Sequence, residues 1–112
     1  MLRFEPRPLP ATPASHAYES VALAIDGDVD EERLAAFVED ELARRAGRIF
    51  RTKGVLAVAG VAERVIVQGV ADRIEVTIGE PWGERARTSR FVVVGFGLDR
   101  ESLARAFAAC AA

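Results

Sequence analysis

The stretch RVIVQGVADRIEVTI, residues 64–78, decides the fold class. Its second half alternates without a break, with Ile74, Val76 and Ile78 on one side and Arg73, Glu75 and Thr77 on the other. A period of two with one apolar and one polar face is the pattern of a half-exposed antiparallel strand. Residues 64–70 form a second strand, and only Ala71 and Asp72 separate the two. Two residues close a hairpin but cannot carry a crossover helix, so this pair is antiparallel.

Working outward, residues 49–59 and 88–94 also read as strands. Their connections, 60–63 and 79–87, are too short for a helix, so an antiparallel meander is expected. Phe91-Val92-Val93-Val94 is apolar on both sides and is expected to be central and covered on both. Residues 18–25 make a further strand, followed by the turn signal Asp26-Gly27-Asp28. The segment 29–46 places Leu34, Phe37, Val38 and Leu42 on one helical face, with acids early and Arg44, Arg45 and Arg48 late, as the helix dipole favours. Asp28, three residues before Glu31, is the expected N-cap, and Gly47 the expected C-cap. Asp99 caps a last helix with Leu103, Phe107 and Cys110 at i, i+4 and i+7. The order is β-α-β-β-β-β-α. The expected fold is α+β: a two-layer, mostly antiparallel sheet of about five strands with two helices packed on one face.

The chain of 112 residues is one domain's length. Four of the five prolines fall within residues 1–14, which read as a tail or linker ahead of a domain over 15–112. There is no apolar run of membrane-spanning length and no apolar leader, so a cytoplasmic protein without a membrane partner is expected. A net charge of -2 argues against nucleic acid as a partner. Arginine outnumbers lysine fourteen to one and alanine occurs twenty times, the imprint of a GC-rich, bacterial genome. Abundant arginine is therefore no sign of phosphate recognition, whereas the single lysine, Lys53, stands out.

Chemistry-bearing motifs are absent. No phosphate-cradling glycine pattern occurs; Gly95-Phe96-Gly97 reads as a strand-to-helix turn. Nothing is spaced as an acid/base pair, and no enzymatic activity or cofactor is expected. One histidine, His16, and one cysteine, Cys110, do not make a metal site within one chain. Other groups stand out because a plain sheet does not require them. Arg51 and Lys53, at i and i+2, share a strand face. Gln68 and Gly69 interrupt an apolar strand, the glycine as a mark of a bulge or close backbone approach. Trp82 lies in the turn Pro81-Trp82-Gly83, where it either plugs the core or anchors a partner.

The same residues carry a family resemblance. Arg51-x-Lys53-Gly54, Gly60, Gln68-Gly69-Val70, Pro81-Trp82-Gly83, Ser89-Arg90 leading into Phe91-Val92-Val93-Val94-Gly95, and Leu98-Asp99 before a helix ending at Cys110 follow in order. This string resembles the C-terminal domain of CobW-type proteins, GTP-dependent metallochaperones related to the cobalamin-synthesis protein CobW and to nitrile hydratase activators. The resemblance covers residues 16–110. Nucleotide hydrolysis and a C-x-C-C metal motif belong to a preceding GTPase domain in that family, and this chain contains neither. The Pro-rich start sits where the interdomain linker would lie, and Met1 favours a stand-alone copy over an excised domain. The family commonly has arginine where Phe96 stands here.

The resemblance implies a non-catalytic, client-facing or regulatory domain in metal homeostasis. The expected partner is a CobW-type GTPase domain or a metal-receiving client, contacted through Arg51, Lys53, Gln68, Trp82 and Arg90. Two alternatives remain: a self-associating module such as a homodimer, and a direct metal carrier joining His16 and Cys110 across a dimer.

Overall fold

A computed structural model describes residues 18–112; residues 1–17, including the Pro-rich segment and His16, lie outside it. The strands are β1 (Tyr18–Ile25), β2 (Ile49–Ala57), β3 (Glu63–Val70), β4 (Arg73–Pro81) and β5 (Ser89–Phe96). The helices are α1 (Glu31–Ala36) and α2 (Arg100–Ala108). Every strand pairing is antiparallel and the spatial order is β1-β5-β2-β3-β4. The α+β class, element order and two-layer arrangement are those expected.

The meander, however, covers only β2, β3 and β4. β5 crosses back to pair between β1 and β2, so β2–β5 form a Greek key. The connection after Pro81 must therefore pass over the ends of β3 and β2. Arg87 fixes it there, donating to the carbonyls of Val61 (3.0 Å) and Val58 (2.9 Å) and pairing with Asp28 at 2.8 Å.

That ion pair corrects the expected cap. Val29 behaves as a bridge residue, its N–H donating to Ala57 O and its carbonyl accepting from Ala59 N. This extended contact pushes the helix start downstream, and Asp30 becomes the N-cap, accepting from Arg33 N at 3.0 Å. Beyond Ala36 the helix widens into a π-helical turn, Phe37–Leu42. Hydrogen bonding from i to i+5 brings Phe37 and Leu42 to the same side, and both are buried. Gly47 does not cap the helix in a left-handed conformation; it lies within a 3-10 turn, Ala46–Arg48. Asp99 does cap α2, accepting from Ser102 N. Arg45, almost fully buried, donates to Glu41 O and to Ser102 Oγ and so ties the two helices together.

The core lies between the helices and one sheet face. Phe37, Phe91 and Phe107 form its centre, with ring centroids 5.5–5.8 Å apart. Val21, Leu56, Val67, Val93 and Leu103 pack around them. The helices cover that face but stop short of β4. Ile74 is half-buried, while Val76 and Ile78 stay exposed on the helix side, contrary to the simple alternation. Among the described residues the opposite face carries no helix. Val92 and Val94 point to it and are half-buried by sheet neighbours alone, so β5 is central but covered on one side only. Among the described residues no helix is long and apolar enough to cross a membrane.

Candidate docking face

The helix-free face is where the structure collects most of the residues singled out from the sequence. Alternation along β2 turns Thr52, Gly54 and Leu56 inward and Arg51, Lys53 and Val55 outward. Lys53 stands across from Gln68 on β3 and from Val92 on β5. Arg51 stands across from Val94, and Arg90 across from Val55. Arg51, Lys53, Gln68 and Arg90 are all exposed. A shallow concavity of about 430 Å³ runs between the cations, with Val55, Val92 and Val94 among its lining. Among the described residues none of Arg51, Lys53 and Arg90 has an ion-pair partner; the ion pairs are those of Glu41 and Asp28.

Gly69 leaves room for the side chain of Thr52, its cross-strand partner on β2. A Cβ at Gly69 would lie 2.5 Å from Thr52 Oγ1, so the glycine marks a close approach rather than a bulge. The bulge occurs elsewhere, at Phe50, where the register between β2 and β5 shifts. Gly95 makes room for it, since a Cβ there would collide with the carbonyl oxygen of Arg48. The shift swings Phe50 out of its alternation and onto the helix-free face. There it meets Tyr18 at 4.8 Å and Phe96 at 5.3 Å between ring centroids. Tyr18 and Phe96 are 49% and 37% exposed, an aromatic cluster at the end of the cationic row. Sequence alternation alone missed this cluster; the usable signal was Gly95, a glycine inside an apolar strand.

Trp82 does not join this group. It lies in the β4–β5 connection, buried but outside the main core, with the Arg64 guanidinium 4.5 Å above its ring. Arg64 also donates to the carbonyls of Glu80 and Pro81, and Trp82 N donates to Ala62 O, which closes the packing around it. Its Nε1 has no hydrogen-bond partner among the described residues.

Cys110 is buried at the end of α2, its thiol donating to the carbonyls of Arg33 and Ala106. Burial pushes its thiol pKa up, which disfavours the thiolate that binds metal or attacks electrophiles. Among the described residues no group of three or more His, Cys, Asp or Glu side chains could hold a metal ion.

The fold is a two-layer α+β domain with one sheet face uncovered among the described residues, lined by cations over an apolar floor. Comparison with known proteins agrees in fold and gives the family. Residues 18–111 match the model of the cobalamin synthesis protein cobW C-terminal domain, and the chain belongs to that family. It is 30% identical over 89 residues to the zinc chaperone YjiA of Escherichia coli (strain K12), covering 80% of this chain and 28% of the relative. It is 38% identical over 80 residues to the zinc chaperone CobW of Pseudomonas aeruginosa, covering 69% of this chain and 21% of the relative. A Zn(II)-bound triple mutant of the YjiA GTPase superimposes with a TM-score of 0.83 at 28% identity, covering 88% of this chain and 31% of that one. The Zn(II)-bound YjiA GTPase from E. coli gives 0.82 at 26% identity over 96% of this chain and 35% of that one. The chain thus spans only about a fifth to a third of the length of these relatives.

Proposed function

We infer that this chain is a non-catalytic docking domain of a CobW-type metal-chaperone system. Its helix-free face receives a protein partner, foremost a CobW-type GTPase domain and otherwise a metal-receiving client. The relatives named as zinc chaperones suggest zinc as the cargo of the system, carried by the partner rather than by this domain. One observation carries the reading: Arg51, Lys53 and Arg90, unpaired among the described residues, surround an apolar floor next to the partly exposed Tyr18–Phe50–Phe96 cluster. Interfaces concentrate binding energy in aromatic and arginine anchors, while exposed charges set encounter rate and orientation. An acidic patch with an apolar centre is the complementary surface.

Calorimetric titration of the chain with the GTPase domain of a CobW-type chaperone from the same genome tests this. Binding is expected, and reversing the charge of Arg51 and Lys53 together should weaken it at least about tenfold, more at low salt than high, because exposed charges are screened. Failure of the folded domain to bind any such GTPase domain or client contradicts the reading. Metal binding by the chain alone would favour a carrier role instead.

A further inference from the structure

Among the described residues the outer edge of β4 is unprotected. Among the described residues β4 pairs only with β3. Ala71 and Asp72 join the two as a two-residue hairpin, with Val70 opposite Arg73. The pair flanking such a turn is hydrogen-bonded, and bonded pairs then alternate along the ladder. Arg73, Glu75 and Thr77 therefore turn their backbone groups toward β3, while Ile74, Val76 and Ile78 turn theirs outward. The same three residues carry the apolar side chains on the helix side; Ile74 packs against the margin of the core, and Val76 and Ile78 lie beyond the reach of the helices. Val76 and Ile78 are 60% and 61% exposed. Sheet edges are usually blunted by a proline, a bulge or an inward-pointing charge. Between Arg73 and Ile78 there is no proline and no charge on the helix side, and the register shift between β3 and β4 lies beyond Ile78.

We propose that β4 is a self-pairing edge through which two copies of this chain join, antiparallel, into one continuous sheet. The register is set by chemistry. With Val76 opposite Val76 of the second copy, Ile74 meets Ile78 and Ile78 meets Ile74. All outward backbone groups of the three residues then find partners, and the exposed apolar side chains form one row. On the other face Glu75 meets Thr77 and Arg73 meets Gly79, so no like charges oppose each other between Arg73 and Gly79; the one like-charged pair, Asp72 with Glu80, falls at the hairpin turn and past the register shift, outside the paired core. A slip of one residue would bring groups committed to β3 against outward ones. A slip of two residues toward the hairpin sets Asp72 against Val76 and leaves Ile78 uncovered. A single strand pair is a small interface, so the association is weak and concentration-dependent. It uses a surface separate from the cationic face and does not rest on the docking function.

The test is sedimentation equilibrium of the full chain over a wide concentration range, with two variants. Val76→Lys sets like charges against each other on the two-fold axis. Val76→Pro removes an outward N–H that pairing with β3 does not use, a position where an edge strand tolerates proline. Circular dichroism melts establish that both fold. In addition, Val76→Cys should form an intermolecular disulfide under mild oxidation, because directly opposed residues in a bonded pair lie about 5.5 Å apart between Cα atoms. Glu75→Cys, on the other face and out of register, should not, and buried Cys110 should remain silent. A monomer–dimer equilibrium is expected, with the dissociation constant raised about fivefold in the lysine variant, the scale of directly opposed like charges. A wild-type chain monomeric at every concentration overturns the proposal. So does a dimer unaffected in a folded Val76 variant, or equal cross-linking at positions 75 and 76.

Discussion

Tyr18 stands directly across from Phe96, the first residue of β1 against the last of β5, with their rings 4.9 Å apart on the helix-free face. Both rings remain partly exposed, so the pair contributes less to stability than a buried pair would and keeps area for a partner. Phe96→Ala is expected to cost under about 1 kcal/mol of folding stability, as surface substitutions do. In titration with the partner it should cost about 2 kcal/mol, the scale of an aromatic anchor. Denaturant melts and calorimetry on the same variant separate the two effects.

Lys53 and Trp82 should respond in opposite ways. Lys53 is exposed and unpaired among the described residues, so Lys53→Ala should leave the melting curve within about 0.5 kcal/mol of wild type. Trp82 is buried beneath Arg64, and Trp82→Ala should cost about 3 kcal/mol or more. A Trp82→Ala protein of unchanged stability but weaker partner binding would show the ring acting as an anchor instead.

Ala71 holds a φ of +56° at the first position of the β3–β4 turn. A residue with a Cβ in that region is strained by about 1–2 kcal/mol, and glycine is not. Ala71→Gly should therefore raise stability by about 1 kcal/mol, the strain relief exceeding the added unfolded-state entropy. Urea midpoints measured with unchanged slope check it; a lower midpoint would rule out strain at this turn.

The Glu41 carboxyl titrates below its ordinary 4.5, chiefly because Arg45 and then Arg44 hydrogen-bond to it. A depressed folded-state value contributes stability above the unfolded-state value, lost as pH falls through the folded-state value. Thermal melts from pH 6 downward should show wild type losing more stability below about pH 4.5 than Glu41→Gln. Parallel pH curves for the two proteins would mean the Arg45 contact is not maintained in solution.

The sheet and its faces were legible because alternation over 64–78 and the two-residue gap at Ala71-Asp72 admit few alternatives. The return of β5 to the far side of β2 was not, since it depends on Arg87 finding carbonyls in a distant turn. The helix start was misread because Asp28 has the right spacing for a cap but is taken by Arg87. Of the helix-free face, Arg51 and Lys53 were readable from strand period, Gln68 from its interruption of an apolar strand, and Arg90 only from the family resemblance. Phe50 was not, because a bulge breaks the period, and the space for that bulge is created by a glycine on another strand, Gly95. The exposure of Val76 and Ile78 escaped alternation for a different reason: side-chain direction is local, whereas cover depends on how far the helix layer extends.

The most direct measurement is the map of backbone amide shifts in the isotopically labelled chain as a CobW-type GTPase domain is added. The account predicts that the largest changes fall on Tyr18, on Phe50, Arg51, Lys53 and Val55, on Gln68, and on Arg90, Val92, Val94 and Phe96, with α1 and α2 little affected. Changes concentrated on the helices, or binding that leaves these residues unmoved, would contradict it.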